Sequence, residues 1–404
     1  MKNKKIIYRN YIQKKYLNKK NSDLKKNYFD IFKKITMNLE NTRDTFHALS
    51  KDFKFNFKMT DLRHFKKFKK IIIIGMGGSI LGSEAIYNFL EKKIKKEFIF
   101  INNIDENKLY SIKKKINLNE TLFIIISKSG NTIETISNLL ALKIIKNNSK
   151  NIILISEKRD NPLYTLSKKM NLFHIEHKNY IGGRYSVLSE VGIVPAYLMG
   201  INITKLRQKL RSHFYANNNF FLKDSAIKMA NLIRSNKIKN IIFFNYVPEL
   251  NKFLYWCQQL IAESLGKKGK GILPLVSPAP KDHHSLLQLY LDGPKDKLFC
   301  VFCLDLNTDI KINSNTMKEK FKFLNKKSLS QIKKAQKNSF LKTLKKKNIP
   351  FREFIIKDFS EEALGELFSY FILETAIIGK LLRINPFDQP AVEQVKIYTK
   401  QKLK

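Results

Sequence analysis

Ile71-Ile72-Ile73-Ile74 is a wholly apolar, β-branched run that ends in Gly75-Met76-Gly77-Gly78-Ser79 and passes into a helical pattern reaching Leu90. A strand that is apolar at every position has to be covered on both faces, and glycines at its exit let the chain turn tightly into a helix. The same rhythm recurs. Phe98 to Ile101, Leu122 to Ile126 and Asn151 to Ile155 are further apolar runs, and a Ser/Thr-rich turn separates the second of them from a helix expected from about Ile133 to Lys146. Asn240 to Phe244, Leu298 to Leu306 and Phe351 to Ile356 repeat the pattern, with helices expected from about Asn251 to Leu265, closed by Gly266, and from about Glu361 to Leu382. Short apolar strands alternating with helices predict an α/β protein: doubly wound, three-layer αβα units with parallel sheets. Two such units are expected, over residues 46–215 and 216–382. A helical segment over 1–45 precedes them, and a polar turn with a helical tail over 383–404 follows. The Lys/Asn-rich stretch from Asn307 to Asn348 reads as an outer helical insertion.

A formal net charge of +42 raises the question of a nucleic-acid partner. Only ten of the 76 basic residues are Arg, the side chain best suited to bidentate readout of phosphates and bases. The lysines run from Lys2 to Lys404, which describes a solvated surface, and no nucleic-acid partner is expected. No apolar run is long enough to span a bilayer, so no membrane partner is expected either. The basic N-terminus lacks the apolar stretch of a secretory signal, and three cysteines cannot build a disulfide framework; a cytoplasmic location follows. Cys300 and Cys303 form a CxxC, but within a strand an i, i+3 pair points to opposite faces.

Six segments carry candidate chemistry. Gly75-Met76-Gly77-Gly78-Ser79 could bring backbone N–H donors to an anion at a helix start, although Ile80 stands where a dinucleotide fingerprint needs glycine. Read alone, it is also an ordinary strand–turn–helix junction. Ser127-Lys128-Ser129-Gly130-Asn131-Thr132 offers three hydroxyls around a helix start, which suits a phosphate; an N-cap accounts for one hydroxyl and not for three. Gly182-Gly183-Arg184 places a guanidinium on a tight turn, either at a site or on the surface. Gln259 and Glu263 share one helix face, and Glu263 beside Leu260, Ile261 and Ala262 is either a general base with a raised pKa or an exposed acid at a helix end. His283 and His284 are adjacent and cannot both face one metal from a helix, which leaves one of them as an acid/base candidate. Phe387-Asp388-Gln389-Pro390 leads into a last helix with Val392, Val395 and Tyr398 on one face.

From about Lys70 onward these blocks, in this order, resemble the glucose-6-phosphate isomerase (phosphoglucose isomerase) family, which is built from two sugar-isomerase domains. GGRYSVLSEVG, the QxxxES block around Glu263, HSLLQ at His284 and FDQPxVExxK at the end carry the resemblance most specifically. It implies reversible aldose–ketose isomerisation through ring opening and a cis-enediol(ate), within glycolysis and gluconeogenesis, with no cofactor and no metal. It also implies roles. Ser127, Ser129, Thr132 and the backbone at Lys128 would hold the substrate phosphate, and Gly78 and Ser79 would line the sugar pocket. Arg184 would stabilise the enediolate oxygen, Gln259 and Gln389 would position the sugar, and Glu263 would move the proton between carbons 2 and 1. His284 and Lys396 would open the ring, with His284 supplied by the partner subunit of a homodimer. Ala391 and Val395 depart from the family's usual glycines, and a methyl where positive φ is required would strain that turn. The N-terminal region is also short for the family.

Overall fold

The computed structural model describes residues 4–404 apart from 22, 42, 116, 118–119, 307–309 and 318. The strands, in chain order, are β1 (Ile6–Asn10), β2 (Lys70–Gly75), β3 (Glu97–Ile101), β4 (Thr121–Ile126), β5 (Ile152–Ser156), β6 (Phe173–Glu176), β7 (Asn240–Asn245), β8 (Leu273–Pro278), β9 (Lys297–Leu304) and β10 (Phe351–Ile356). They form two five-stranded sheets, ordered β3-β2-β4-β5-β6 and β1-β10-β9-β7-β8. Every neighbouring pair is parallel except β1, which runs antiparallel to β10.

The apolar strands are covered on both faces, as their composition requires. Ile71 and Ile73 pack into a core that lies between the sheets, whereas Ile72 and Ile74 pack into an outer cluster on the far side. The inner core also takes Ile241, Phe243, Leu298, Cys300 and Phe302 from the second sheet, so the two units share one apolar interior. The helices Leu81–Leu90, Asn251–Leu265 and Glu361–Leu381 are embedded in it. Cys300 faces this core. Cys303 points to the other side of β9 and approaches Glu353, and burial pushes both thiols up.

Three strands escaped the sequence reading, each for a local reason. β1 lies in the segment expected to be helical: Ile6 is buried and the strand completes the sheet edge beside β10. Only the helix Asp23–Asn38 matches the amphipathic expectation there, burying Leu24, Tyr28 and Ile35. β8 contains Pro274 and Pro278, which only an edge strand tolerates, and β6 has just four residues. The helix from Ile133 stops at Leu142, earlier than expected, because Lys143 turns left-handed at φ 53°. In the insertion, the helix Leu329–Lys346 starts from a Ser328/Gln331 capping box; residues 307–309 and 318 of that stretch lie outside the described residues. No helix among the described residues is long and apolar enough to cross a membrane.

From β2 the chain goes to β3 on one side, then crosses to β4 on the other, so strand order reverses between β2 and β4. Gly75 pairs with Ile126, and the two strands release their loops side by side. Open α/β sheets bind ligands in the crevice beyond such a reversal.

Candidate active site

The loop leaving β4 is tightly constrained. Gly130 sits at φ +67°, and a Cβ there would lie 1.7 Å from Asn161 Oδ1, so glycine is required. Asn161 is itself fixed by donating to the carbonyls of Glu157 and Arg159. Ser127 and Thr132 share a 2.8 Å hydroxyl–hydroxyl hydrogen bond across the loop. Ser129 donates to Asn131 at 2.6 Å. Thr132 precedes the helix Ile133–Leu142, yet its hydroxyl makes no capping bond. The three hydroxyls thus gather at an uncapped helix start, where N–H donors and the dipole favour an anion. Lys128 turns its side chain out of this loop. Its ammonium donates to Asn179 O at 2.7 Å with Glu157 3.7 Å away, and burial lowers its pKa.

The loop leaving β2 meets the Arg184 turn backbone to backbone. A Cβ on Gly78 would lie 2.2 Å from the carbonyl carbon of Gly183 and 2.4 Å from the nitrogen of Arg184. Arg184 itself is 2% exposed, which excludes the surface-turn reading. All five of its N–H groups are engaged. Nε donates to Ser264 at 2.8 Å; one Nη donates to Glu263 Oε2 at 3.2 Å and to Gln389 Oε1; the other donates to the carbonyls of Pro386 at 2.7 Å and Asp388 at 3.0 Å. Gln259 donates to Glu263 Oε1 at 2.9 Å, and its own Oε1 has no hydrogen-bond partner among the described residues. Both oxygens of Glu263 are therefore held, one by an amide and one by a buried cation, while the side chain stays 28% exposed. The carboxylate faces polar neighbours, not the apolar surroundings that Leu260 and Ile261 suggested in sequence; those two are buried on the inward side of the helix.

One cluster thus joins Gly78, Arg184, Gln259, Glu263 and Gln389, from segments far apart in the chain. His284 and Lys396 are not part of it within one chain. His284 is exposed beyond β8, and no hydrogen bond links it to the cluster among the described residues. Lys396 lies on the helix Ala391–Lys402, which buries no residue, and its ammonium pairs with Glu393 at 2.7 Å. The strain expected at Ala391 and Val395 does not arise. Neither has positive φ, because Pro390 at φ −64° already starts the helix.

Sequence reasoning missed the residues that build the cluster from behind. Ser264 orients Arg184, and the buried Tyr185 hydroxyl bonds both Ser264 and Pro386 O. The Trp256 indole donates to Arg184 O at 3.1 Å. Each adjoins a motif residue or lies one or two helical turns from one, which was the available signal. Among the described residues no group of three or more His, Cys, Asp or Glu side chains is placed to hold a metal.

The sequence model of the phosphoglucose isomerase family matches residues 33–404. A curated glucose-6-phosphate isomerase of Methanocaldococcus jannaschii is 35% identical over 341 residues, covering 81% of this chain and 83% of that protein. Among solved structures, a hypothetical protein of Thermus thermophilus superposes with a TM-score of 0.84 at 22% identity, over 98% of this chain and 99% of the other. A glucose-6-phosphate isomerase of Chlamydia trachomatis gives 0.78 at 18% identity, over 99% and 88%. At those identities the two structural likenesses speak for the fold.

Proposed function

The chain belongs to the phosphoglucose isomerase family and interconverts glucose 6-phosphate and fructose 6-phosphate; we propose that it does so in the crevice beyond β2 and β4. The observation that carries this placement is the Glu263 carboxylate, clamped at both oxygens and still accessible from solvent. Isomerisation next to a carbonyl needs one positioned base and a cation near the developing oxyanion, and Glu263 with Arg184 supplies that pair.

In this reading the substrate phosphate is held by Ser127, Ser129, Thr132 and the backbone at Lys128, and Gly78 and Ser79 line the sugar pocket. The open-chain sugar lies between the phosphate loop and Glu263. Glu263 takes the proton from carbon 2 of the aldose, the carbonyl oxygen on carbon 1 gains negative charge, and the cis-enediolate forms. The same carboxylic acid returns its proton to carbon 1, and the hydroxyl proton shifts between the two oxygens, which leaves the ketose. The Oε1 of Gln259, buried and without a partner among the described residues, becomes an acceptor for a sugar hydroxyl once the side chain turns towards the crevice. Arg184 has no idle donor, so the enediolate oxygen replaces Gln389 on the shared Nη.

Ring opening is assigned to His284 and Lys396, with His284 arriving from the partner subunit of a homodimer. The exposure of His284 beside the exposed Leu286 and Leu289 supports this. A cytoplasmic location completes the proposal. The direct test incubates the purified chain with fructose 6-phosphate, a chelator and no nucleotide, and follows glucose 6-phosphate by NMR. Absence of product, or product only after metal is restored, overturns the mechanism.

A further inference from the structure

The turn that delivers Gln389 has little of its own to hold it in place. Residues 384–389 follow the left-handed Arg383 (φ 58°) and precede a helix that buries nothing. Within the turn, Asn385 donates to Asp388 Oδ2 and accepts from the Phe387 N–H. The remaining anchors come from outside it. Arg184 takes the carbonyls of Pro386 and Asp388, and Tyr185 takes Pro386 a second time.

Phe387 also packs against the inner core, touching Phe46 and Tyr185. A further polar anchor is Lys267. Its ammonium donates to Asn385 O at 2.5 Å and forms an ion pair with Asp388 Oδ1 at 2.7 Å, with only 11% of the side chain exposed against 52% for Asp388. The neighbouring Lys270 donates to Leu382 O at 2.9 Å. Lys267 follows Glu263 by four residues, just past the end of the same helix, whose last turn is closed by the Gly266 N–H on Ala262 O. One helix end therefore presents the base Glu263, the arginine-orienting Ser264 and the turn-holding Lys267. The hydrogen bond and charge of Lys267 hold the Asp388 carboxyl below its usual range.

We infer that Lys267 is a positioning residue for this reaction, registering the 385–389 turn, and with it Gln389 and the root of the Lys396 helix, against the helix that carries the base. It touches no reacting atom. The inference rests on the proposed placement of the isomerase site. It separates two parts of the chemistry: loss of Lys267 loosens the turn, whereas Arg184 keeps its bonds to Ser264 and Glu263 and the carbon–hydrogen step keeps its groups. A misplacement of about 1 Å in a positioning element can cost on the order of 100-fold in rate.

The test compares Lys267→Met, Lys267→Arg and Asp388→Asn with wild type on two substrates. One is fructose 6-phosphate, which must be opened. The other is 5-deoxyfructose 6-phosphate, which lacks the hydroxyl that closes its ring; solvent hydrogen exchange at carbon 1 is read by NMR. Lys267→Met should lose about 10- to 100-fold in kcat on the cyclic substrate while exchange on the open-chain analogue stays within a few-fold. Lys267→Arg should restore most of the loss, and Asp388→Asn should show the same split more weakly. Wild-type kcat for Lys267→Met refutes the inference. Equal losses on both substrates for Lys267→Met and Asp388→Asn also refute it, since they mark a purely structural lysine. If Lys267→Met does not fold, Asp388→Asn, altered at an exposed carboxylate, decides alone. Wild-type enzyme that fails to exchange the analogue at all sinks the site assignment instead, which keeps the two failures apart.

Discussion

Replacing Glu263 by Gln separates the charge of the base from its contacts. In the wild type Oε1 accepts from Gln259 at 2.9 Å and Oε2 from Arg184 at 3.2 Å. An amide has one oxygen to keep for Arg184, and its NH2 can donate to Gln259 Oε1, which has no partner among the described residues, once the Gln259 amide flips. Both contacts survive as hydrogen bonds: the one with Gln259 becomes neutral, while the one from Arg184 keeps its cationic donor and loses the acceptor's charge. Hydrogen bonds to charged groups contribute about 1.5–3 kcal/mol and neutral ones about 0.5–1.5, so the cost to the fold is about 1 kcal/mol, less whatever water screens at a partly exposed carboxylate. The cost to catalysis is larger. General-base catalysis contributes about 10²- to 10⁴-fold, which at 1.36 kcal/mol per decade is about 3–5 kcal/mol of barrier.

The two magnitudes differ enough to be told apart. Glu263→Gln should melt within a few degrees of wild type, bind fructose 6-phosphate with KM changed by a few-fold at most, and lose at least 100-fold in kcat. KM is protected because the proposed phosphate loop belongs to β4 and its helix, away from the helix of Glu263. The decisive assay is exchange of the carbon-2 hydrogen of glucose 6-phosphate in D2O. A variant that exchanges at the wild-type rate removes Glu263 from the mechanism, whatever happens to net turnover.

Three further outcomes follow. Ser129→Ala and Thr132→Ala should raise KM by about tenfold each with kcat nearly kept, since lost hydrogen bonds to phosphate weaken ground and transition states alike; a loss confined to kcat contradicts phosphate binding. Mixing His284→Ala chains with Glu263→Gln chains and allowing exchange should restore activity, because each hybrid dimer holds one site with both groups intact; no recovery, in hybrids verified by mass, removes the shared histidine. Burial holds the imidazoles of His174 and His177 down at about 4. The unfolded chain therefore takes up protons that the native state refuses at these two residues, so their contribution to stability should fall as pH drops from about 6.5 towards 4 and stay level above that window. Melts of wild type and His177→Gln across this range should show a shallower acid loss in the variant, and parallel curves would exclude His177 as a source.

What was legible in the sequence was what repeats locally. Four consecutive isoleucines announce a strand covered twice, and the helix from Asn251 to Leu265 ends at the glycine that marks it. The order of the blocks pointed to the family, and Arg184, Gln259, Glu263 and Gln389 do meet. What was illegible depends on distance. Arg184 and Pro386 are 202 residues apart, and nothing in either segment announces that a buried guanidinium will spend two donors on a turn's carbonyls. β1 was misread because a five-residue edge strand with one fully buried side chain carries almost no periodic signal. Lys267 was lost among many lysines. In a chain with 76 basic residues, only geometry separates a lysine that holds the Gln389 turn from those that solvate a surface.

The fully engaged guanidinium of Arg184 leads to a final consequence. A cation with five occupied donors can meet a new oxygen only by releasing an old one. The Nε bond to Ser264 and the two carbonyl bonds anchor the side chain, and the Glu263 bond fixes the base, so the amide oxygen of exposed Gln389 is the partner least costly to give up. Releasing it removes one of the threads that hold the 385–389 turn at the moment the substrate needs that turn in place. Lys267 grips the same turn through Asn385 O and Asp388, independently of Arg184, so the turn keeps its register for ring opening, while the two carbonyl bonds of Arg184 stay in place through the proposed exchange. In the proposed mechanism, anchoring the turn from two cations on separate segments makes the exchange local: one hydrogen bond moves from Gln389 to the enediolate oxygen, and the surrounding cluster stays where the fold put it.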